Sequence, residues 1–393
     1  MSTQSNTYDY LLILRGLSAL AVVFCHYSFQ LSEIIHINWF DWLFNPFGYV
    51  PVLIFFTLSG HLITLGFLQH RHEAYTFSGV KKYYLSRALR ILPLYYLSIL
   101  ICAIIYWKAT THSPERVLSL FIFLENYKPE NGIIFNHVYW TMPIEVLYFA
   151  LAPGIYILSK KAVNNFGLLK TVLFVLFAFF IFTVFLFRNF EHTQNGISLT
   201  RKEWLFTARF DFFYNLQAFL LGGFSAFFIH NTKTTPRMRH RLLITWFFSV
   251  SLIIWIIFHT TTHTATRLNQ FNLASPLLIY GLIPLIGFWL ATIAYLNKFQ
   301  SNQNNNHFLR MLEHLGKISY AMYLFHMPIL TITEQLVTSK EHITPNHITS
   351  LIAVALTFLF SIIVYKFFEK PIMNLRRDSR EAQQKLITAA TQS

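Results

Sequence analysis

The chain alternates long apolar runs with short polar clusters, and the length of the runs is that of a membrane-crossing helix. About 20 apolar residues span the hydrocarbon core of a bilayer as an α-helix. Ten runs of that order occur, at about 10–30, 47–68, 89–107, 137–158, 169–187, 210–229, 242–259, 273–295, 317–334 and 349–369. A further run, 117–124, is too short to span and is expected to lie in the interface or to re-enter. The pattern predicts an all-α fold. It is a polytopic membrane helical bundle of about ten transmembrane helices over residues 1–375, followed by a short cytoplasmic tail at 376–393.

Composition excludes the alternatives to a membrane protein. Hydrophobic residues make up 54% of the 393 and charged residues only 12%, against about 25% charged in an ordinary soluble domain. Mean hydropathy is +0.44. So few charges cannot coat a water-facing surface, which rules out a soluble enzyme, a secreted domain and a disordered tail. The net charge of +14 would elsewhere suggest nucleic acid as a partner. Here the charges sit between the apolar runs, and no nucleic-acid binding is expected.

The same charges set a sidedness. Lys and Arg are enriched on cytoplasmic loops, and with ten spans the side that carries both termini holds 21 of them against 9 on the other, with Arg15 inside the first span. Both termini are therefore expected in the cytoplasm, in a multi-pass protein of the inner (plasma) membrane. The opening MSTQSNTYDY has no basic residue, so the first run is expected to stay as a helix and not to be cleaved as a signal peptide. Cys25 and Cys102 both lie inside apolar runs and suggest neither a disulfide framework nor a zinc site.

Ionisable residues within the runs are the candidate chemistry, because burying them in hydrocarbon is costly and is by default functional. Arg15 and His26 are eleven residues apart in YLLILRGLSALAVVFCHYSF. That is about three helical turns, which puts both on one face and separates them by roughly 16 Å. The plainer reading is a snorkelling Arg and an interfacial His. In the second run, FFTLSGHLITLGF, Ser59 and Gly60 permit close packing and His61 adds a buried ionisable group. Ahead of the third run, Arg87 and Arg90 are three apart and share a helix face before Pro93. Guanidinium forks at that spacing suit phosphates, although they also serve as ordinary cytoplasmic-side charges.

Counting inward from the outer end of the fourth run places Glu145 at a depth similar to His26, where a carboxylate can orient a histidine or bind an acceptor hydroxyl. His326 lies in the outer half of the ninth run, and Glu369 closes the tenth at FFEKPI, where a structural role is the simpler one. His259 and His263 have the i, i+4 spacing of a metal pair but no carboxylate or cysteine nearby, and read as loop histidines.

Taken in order, these segments resemble the acyltransferase type 3 family of integral membrane O-acyltransferases over most of the chain. Arg15 and His26 match the family's signature of Arg, ten residues, then His; FFTLSG and RALRILPLYYL match its second-span and cytoplasmic Arg motifs. WTMPIEVLYF, which brings Trp140, Glu145 and Tyr148, matches its Trp-to-Glu motif, ISYAMYLFHMPI its penultimate span, and FEKP its closing Glu and Pro. His61 stands where Phe or Tyr is usual, and Val146 where many members carry a second acid.

The resemblance implies a transfer of an acyl group from cytoplasmic acyl-CoA, with acetyl-CoA the expected donor substrate and no permanently bound cofactor or metal. The acceptor would be a hydroxyl of a cell-surface glycan, such as a surface polysaccharide or lipopolysaccharide, or of a lipid-linked saccharide. On this reading His26 and Glu145 are catalytic and Arg15, Arg87 and Arg90 bind the donor. Ser59, His61, Trp140, Tyr148, His326 and Glu369 are further candidates. The rival reading is a proton-coupled secondary transporter, which also places Arg, His and Glu in a helical bundle; the halves of the sequence show no convincing internal repeat to favour it.

Overall fold

The computed structural model describes residues 7–35, 49–127, 134–190, 211–233, 243–247, 249, 274–300, 306–338 and 347–375. Most of the predicted run 242–259, with His259 and His263, and the tail 376–393 lie outside these residues. The described residues are almost wholly helical and include no strand. In chain order the helices are α1 (Tyr10–Ile35), α2 (Tyr49–Leu68), α3 (Phe77–Ile105), α4 (Trp107–His112), α5 (Pro114–Phe121), α6 (Thr141–Phe166), α7 (Leu168–Phe190), α8 (Phe212–Asn231), α9 (Ala274–Lys298), α10 (His307–Thr338) and α11 (His347–Val364). Nine of the ten predicted runs fall on these helices. Six described segments are long and apolar enough to cross a membrane, which makes this a multi-pass membrane protein.

Two pairs of helices form the core, each brought together by glycine. The Cβ of an alanine at Gly16 would lie 2.6 Å from the Gly316 nitrogen, and one at Gly316 would lie 2.1 Å from the Leu12 carbonyl oxygen. Only bare backbone therefore fits where α1 crosses α10. In the same way a Cβ added at Gly60 of α2 would run into the Phe219 carbonyl oxygen of α8, and one added at Gly222 into the Thr57 carbonyl oxygen. Small residues give membrane helices this close approach, where dispersion replaces the hydrophobic effect as the glue. Contacts rise together along both members of each pair, Gly16 with Gly316 and His26 with His326, Tyr49 with Asn215 and His61 with Ser225. Both pairs are thus parallel. That is the parity the alternating ten-run pattern requires of its first and ninth runs and of its second and sixth.

The chain's lead-in fastens one end of the bundle. Asp9 caps α1 by accepting from the amides of Leu11 and Leu12, both at 3.1 Å, which satisfies donors that have no partner inside the helix. Its own amide donates to Glu313 of α10 at 2.7 Å, and Tyr10's amide donates to Asn297 of α9 at 2.8 Å. Arg310 pairs with Glu313 at 3.3 Å and lies over the Tyr8 ring. The starts of α1 and α10 and the end of α9 are therefore held on one side.

At the other end α4 and α5 follow α3, and Trp107, Leu118 and Ile122 are exposed. The short apolar run 117–124 thus folds largely as the brief α5, too short to cross. One boundary differs from the sequence reading: the basic stretch before the third run is already helix from Phe77. Thr76 caps it by accepting from the Gly79 amide at 3.1 Å, so Arg87 and Arg90, on one helix as expected, sit well inside α3.

Candidate functional site

Helices α1, α2, α3, α6 and α10 line a partly open cavity. Its polar lining includes Arg15, Ser59, Arg87, Arg90, Glu145 and Tyr320. Arg87 is fixed by aromatic faces, its guanidinium 5.7 Å from the Tyr83 ring and 5.9 Å from the Phe149 ring. Its Nε is buried without a hydrogen-bond partner. Among the described residues no carboxylate lies within 4.0 Å of Arg15, Arg87 or Arg90, so none of the three cavity arginines is locked in an ion pair.

Glu145 acts on all three only at longer range, and Glu369 acts on Arg15 and Arg90. Glu369 ends a π-helical turn, Tyr365–Glu369, and is 7% exposed with Oε2 unpartnered. Such π-turns re-aim a side chain by one position and are frequent at functional sites. Three guanidiniums facing one lining carboxylate leave a cavity with positive charge to spare.

About three turns along α1 from Arg15 stands a pair of histidines. His326 of α10 is fully buried, and its Nε2 lies 3.2 Å from Nδ1 of His26 with ring centroids 5.0 Å apart. Their proton positions follow from the backbone around them. His326 Nδ1 faces the carbonyl oxygens of Tyr323 at 2.9 Å and Met322 at 3.1 Å; His26 Nδ1 faces that of Val22 at 2.9 Å. Carbonyl oxygens only accept, so both Nδ1 atoms carry hydrogen and both Nε2 atoms carry a lone pair, an assignment made from the network.

Tyr323 connects the cavity to this pair. It lines the cavity, its ring centroid is 6.2 Å from that of His326, and its hydroxyl is 3.0 Å from that of Thr141. Asn136, just before α6, donates from its side chain to the Leu324 carbonyl at 2.8 Å and so ties the segment before α6 to α10.

The sequence-predicted residues thus divide. Arg15, Ser59, Arg87, Arg90 and Glu145 meet in the cavity, Glu369 lies in its field, and His26 meets His326. Glu145 is not beside His26, which corrects the depth reading. Counted from the ends of their runs Glu145 lies eight residues in and His26 four, about 6 Å apart in depth at about 1.5 Å per residue; the 3-10 turn His137–Trp140 adds about 2 Å, and Glu145 lies among the arginines. The titratable neighbours of His26 are instead His137 and His326.

His61 points away from the cavity into the α2–α8 contact, where Nδ1 is 2.7 Å from the Ser225 hydroxyl. Trp140 stacks on Tyr49, centroids 6.0 Å apart, and Tyr148 stacks on Phe219 at 4.0 Å behind Arg87. Tyr320 and Tyr323 were not singled out from sequence. The signal was there: Tyr320, Tyr323 and His326 recur every third residue, a polar stripe on one face of an apolar run. Among the described residues no group of three or more His, Cys, Asp or Glu is placed to hold a metal ion.

Outside the spans, Glu125 sits 7% exposed in a 3-10 turn (Glu125–Tyr127), accepting from the Tyr95 hydroxyl at 3.2 Å. Burial pushes its carboxyl up from 4.5 to about 8, against the opposing pull of its hydrogen bonds.

The described residues thus define a multi-pass helical bundle with a cationic cavity and a histidine pair. Comparison with known proteins narrows the class. Residues 8–366 match a family described as an acyltransferase domain, and the chain belongs to this acyltransferase type 3 family. It is similar to peptidoglycan O-acetyltransferase OatA of Listeria monocytogenes, 23% identical over 397 residues that cover 91% of this chain and 54% of that protein. The chain spans about half the length of the curated relative it matches. No solved structure matches.

Proposed function

We propose that the chain is a membrane O-acyltransferase, an O-acetyltransferase in the first instance, that moves an acyl group from cytoplasmic acyl-CoA to a hydroxyl of a cell-surface glycan or lipid-linked sugar. One observation carries this reading. Three guanidiniums without ion-pair partners share a cavity whose lining residue Tyr323 neighbours His326, which in turn meets His26. Phosphates satisfy such forks, and CoA carries its phosphates at one end and its thioester at the other. Family membership weighs against the transporter alternative.

Arg87 and Arg90 take the donor's phosphates from the cytoplasmic side, with Glu145 and Glu369 offsetting the mutual repulsion of the cavity guanidiniums when no donor is bound. The pantetheine arm then runs past Arg15 along the roughly 16 Å to His26. An acceptor hydroxyl arriving from the other face gives its proton to His26 Nε2 as its oxygen bonds to the acyl carbon. The carbon–sulfur bond breaks, and the departing thiolate recovers the proton from the same nitrogen. Transfer is direct, and Cys25, about 100° around the helix from His26, is not the nucleophile.

The test is mass spectrometry of surface glycans, peptidoglycan included, from cells with and without the gene. The expected result is loss of an acetyl increment from one glycan. Identical acyl content in every fraction overturns the proposal.

A further inference from the structure

We propose that His326 is the positioning residue for His26: its bare Nε2 accepts the His26 Nδ1 hydrogen, aims Nε2 of His26 at the reacting hydroxyl and stabilises the charge His26 gains during transfer. This deepens the function proposed above and rests on it. The argument starts from His326 itself. It is fully buried, and Nδ1 cannot give up its hydrogen without placing a lone pair against two carbonyl oxygens, those of Tyr323 at 2.9 Å and Met322 at 3.1 Å. Those contacts fix its hydrogen on Nδ1 and leave Nε2 as an acceptor 3.2 Å from His26.

Its backbone is held in turn, because the Tyr27 hydroxyl donates to the His326 carbonyl at 2.9 Å and also meets the Thr357 hydroxyl of α11 at 3.1 Å. The opposite proton arrangement, with His326 donating to His26, would set lone pairs of both rings against carbonyl oxygens. It is excluded on geometry.

The chemistry follows from the shared hydrogen. Val22's carbonyl and His326 Nε2 together accept from Nδ1 of His26. When Nε2 of His26 takes the acceptor's proton, the ring becomes an imidazolium and its Nδ1 bond becomes charge-assisted, about twice as strong as a neutral one. His326 stays neutral throughout, and the proton leaves from Nε2 with the thiolate. The second histidine thus fills the orienting place that a carboxylate holds in a catalytic triad, without adding a negative charge to a membrane interior.

The experiment uses full-length protein in nanodiscs, with labelled acetyl-CoA as donor and glycan isolated from cells lacking the gene as acceptor. His326→Phe is expected to lower kcat by about tenfold to a hundredfold, the worth of one hydrogen bond to a charged group, while the KM for acetyl-CoA stays within about twofold. His326→Gln, whose side-chain carbonyl can accept from Nδ1, is expected to recover most of the loss. Equal losses in the two variants, or a loss confined to KM, overturn the proposal.

An independent measurement needs no turnover. ¹⁵N NMR of histidine-labelled wild-type protein is expected to find both rings protonated at Nδ1 and bare at Nε2 in the neutral state. An Nε2-protonated His26 overturns the inference, whereas the expected tautomers with no acetyl transfer by wild-type protein place the failure with the proposed function.

Discussion

At the scale of single residues, the direct-transfer route separates two neighbours on α1. His26→Ala is expected to abolish acetylation while the protein still inserts and accumulates, and Cys25→Ala to keep wild-type activity; glycan acetylation and membrane immunoblots in complemented cells read both, and the reverse pattern sinks direct transfer. Arg87→Lys keeps the charge but loses the planar fork and its stacking on Tyr83 and Phe149. The KM for acetyl-CoA is expected to rise about tenfold, and an unchanged KM returns Arg87 to the role of a topology signal. The spacing of Arg15 and His26 was legible in the sequence because both lie on one helix, where period alone decides which side chains share a face. The place of Glu145 was not, because it lies on another helix from His26, and a residue count fixes distance along one helix but not the offset between two.

At the scale of elements, the glycine crossings and the turn at Glu125 make opposite kinds of prediction. Gly316→Ala drives a Cβ into the Leu12 carbonyl and is expected to cost about 1–3 kcal/mol by overpacking. Gly154→Ala on α6 meets nothing within 4 Å and is expected to gain about 0.5–1 kcal/mol from helix propensity. Thermal unfolding in detergent compares the two, and equal effects refute the close approach. Glu125 keeps its proton to about pH 8 when folded but loses it near 4.5 when unfolded. Between those values the folded chain binds more protons than the unfolded one, so stability falls as pH rises across the window and is level on either side. Glu125→Gln is expected to flatten that slope in unfolding midpoints taken from pH 5 to 8. Apolar period placed most helices, yet which helices pair was hidden, because Gly16 meets Gly316 across 300 residues and no local pattern encodes such a meeting.

At the scale of the whole molecule, the 21 against 9 distribution of Lys and Arg predicts that alkaline phosphatase fused to the C-terminus is inactive; strong activity there reverses the orientation. The cavity could not be read from the sequence as a volume, since it is a gap between five helices, although its charged lining was legible residue by residue. The meeting of Gly16 and Gly316 has one more consequence, for motion. Ten residues, or about 15 Å of helix, separate that contact from His26 on α1 and from His326 on α10. The contact is a fulcrum, and the two histidines ride at the tips of a pair of shears. Opening the blades by about 4° carries the tips about 1 Å apart over that length, and a misplacement of 1 Å is enough to cost about a hundredfold in rate. A bundle that absorbs an added methyl group at Gly316 by tilting, instead of unfolding, would therefore keep its place in the membrane and lose its turnover.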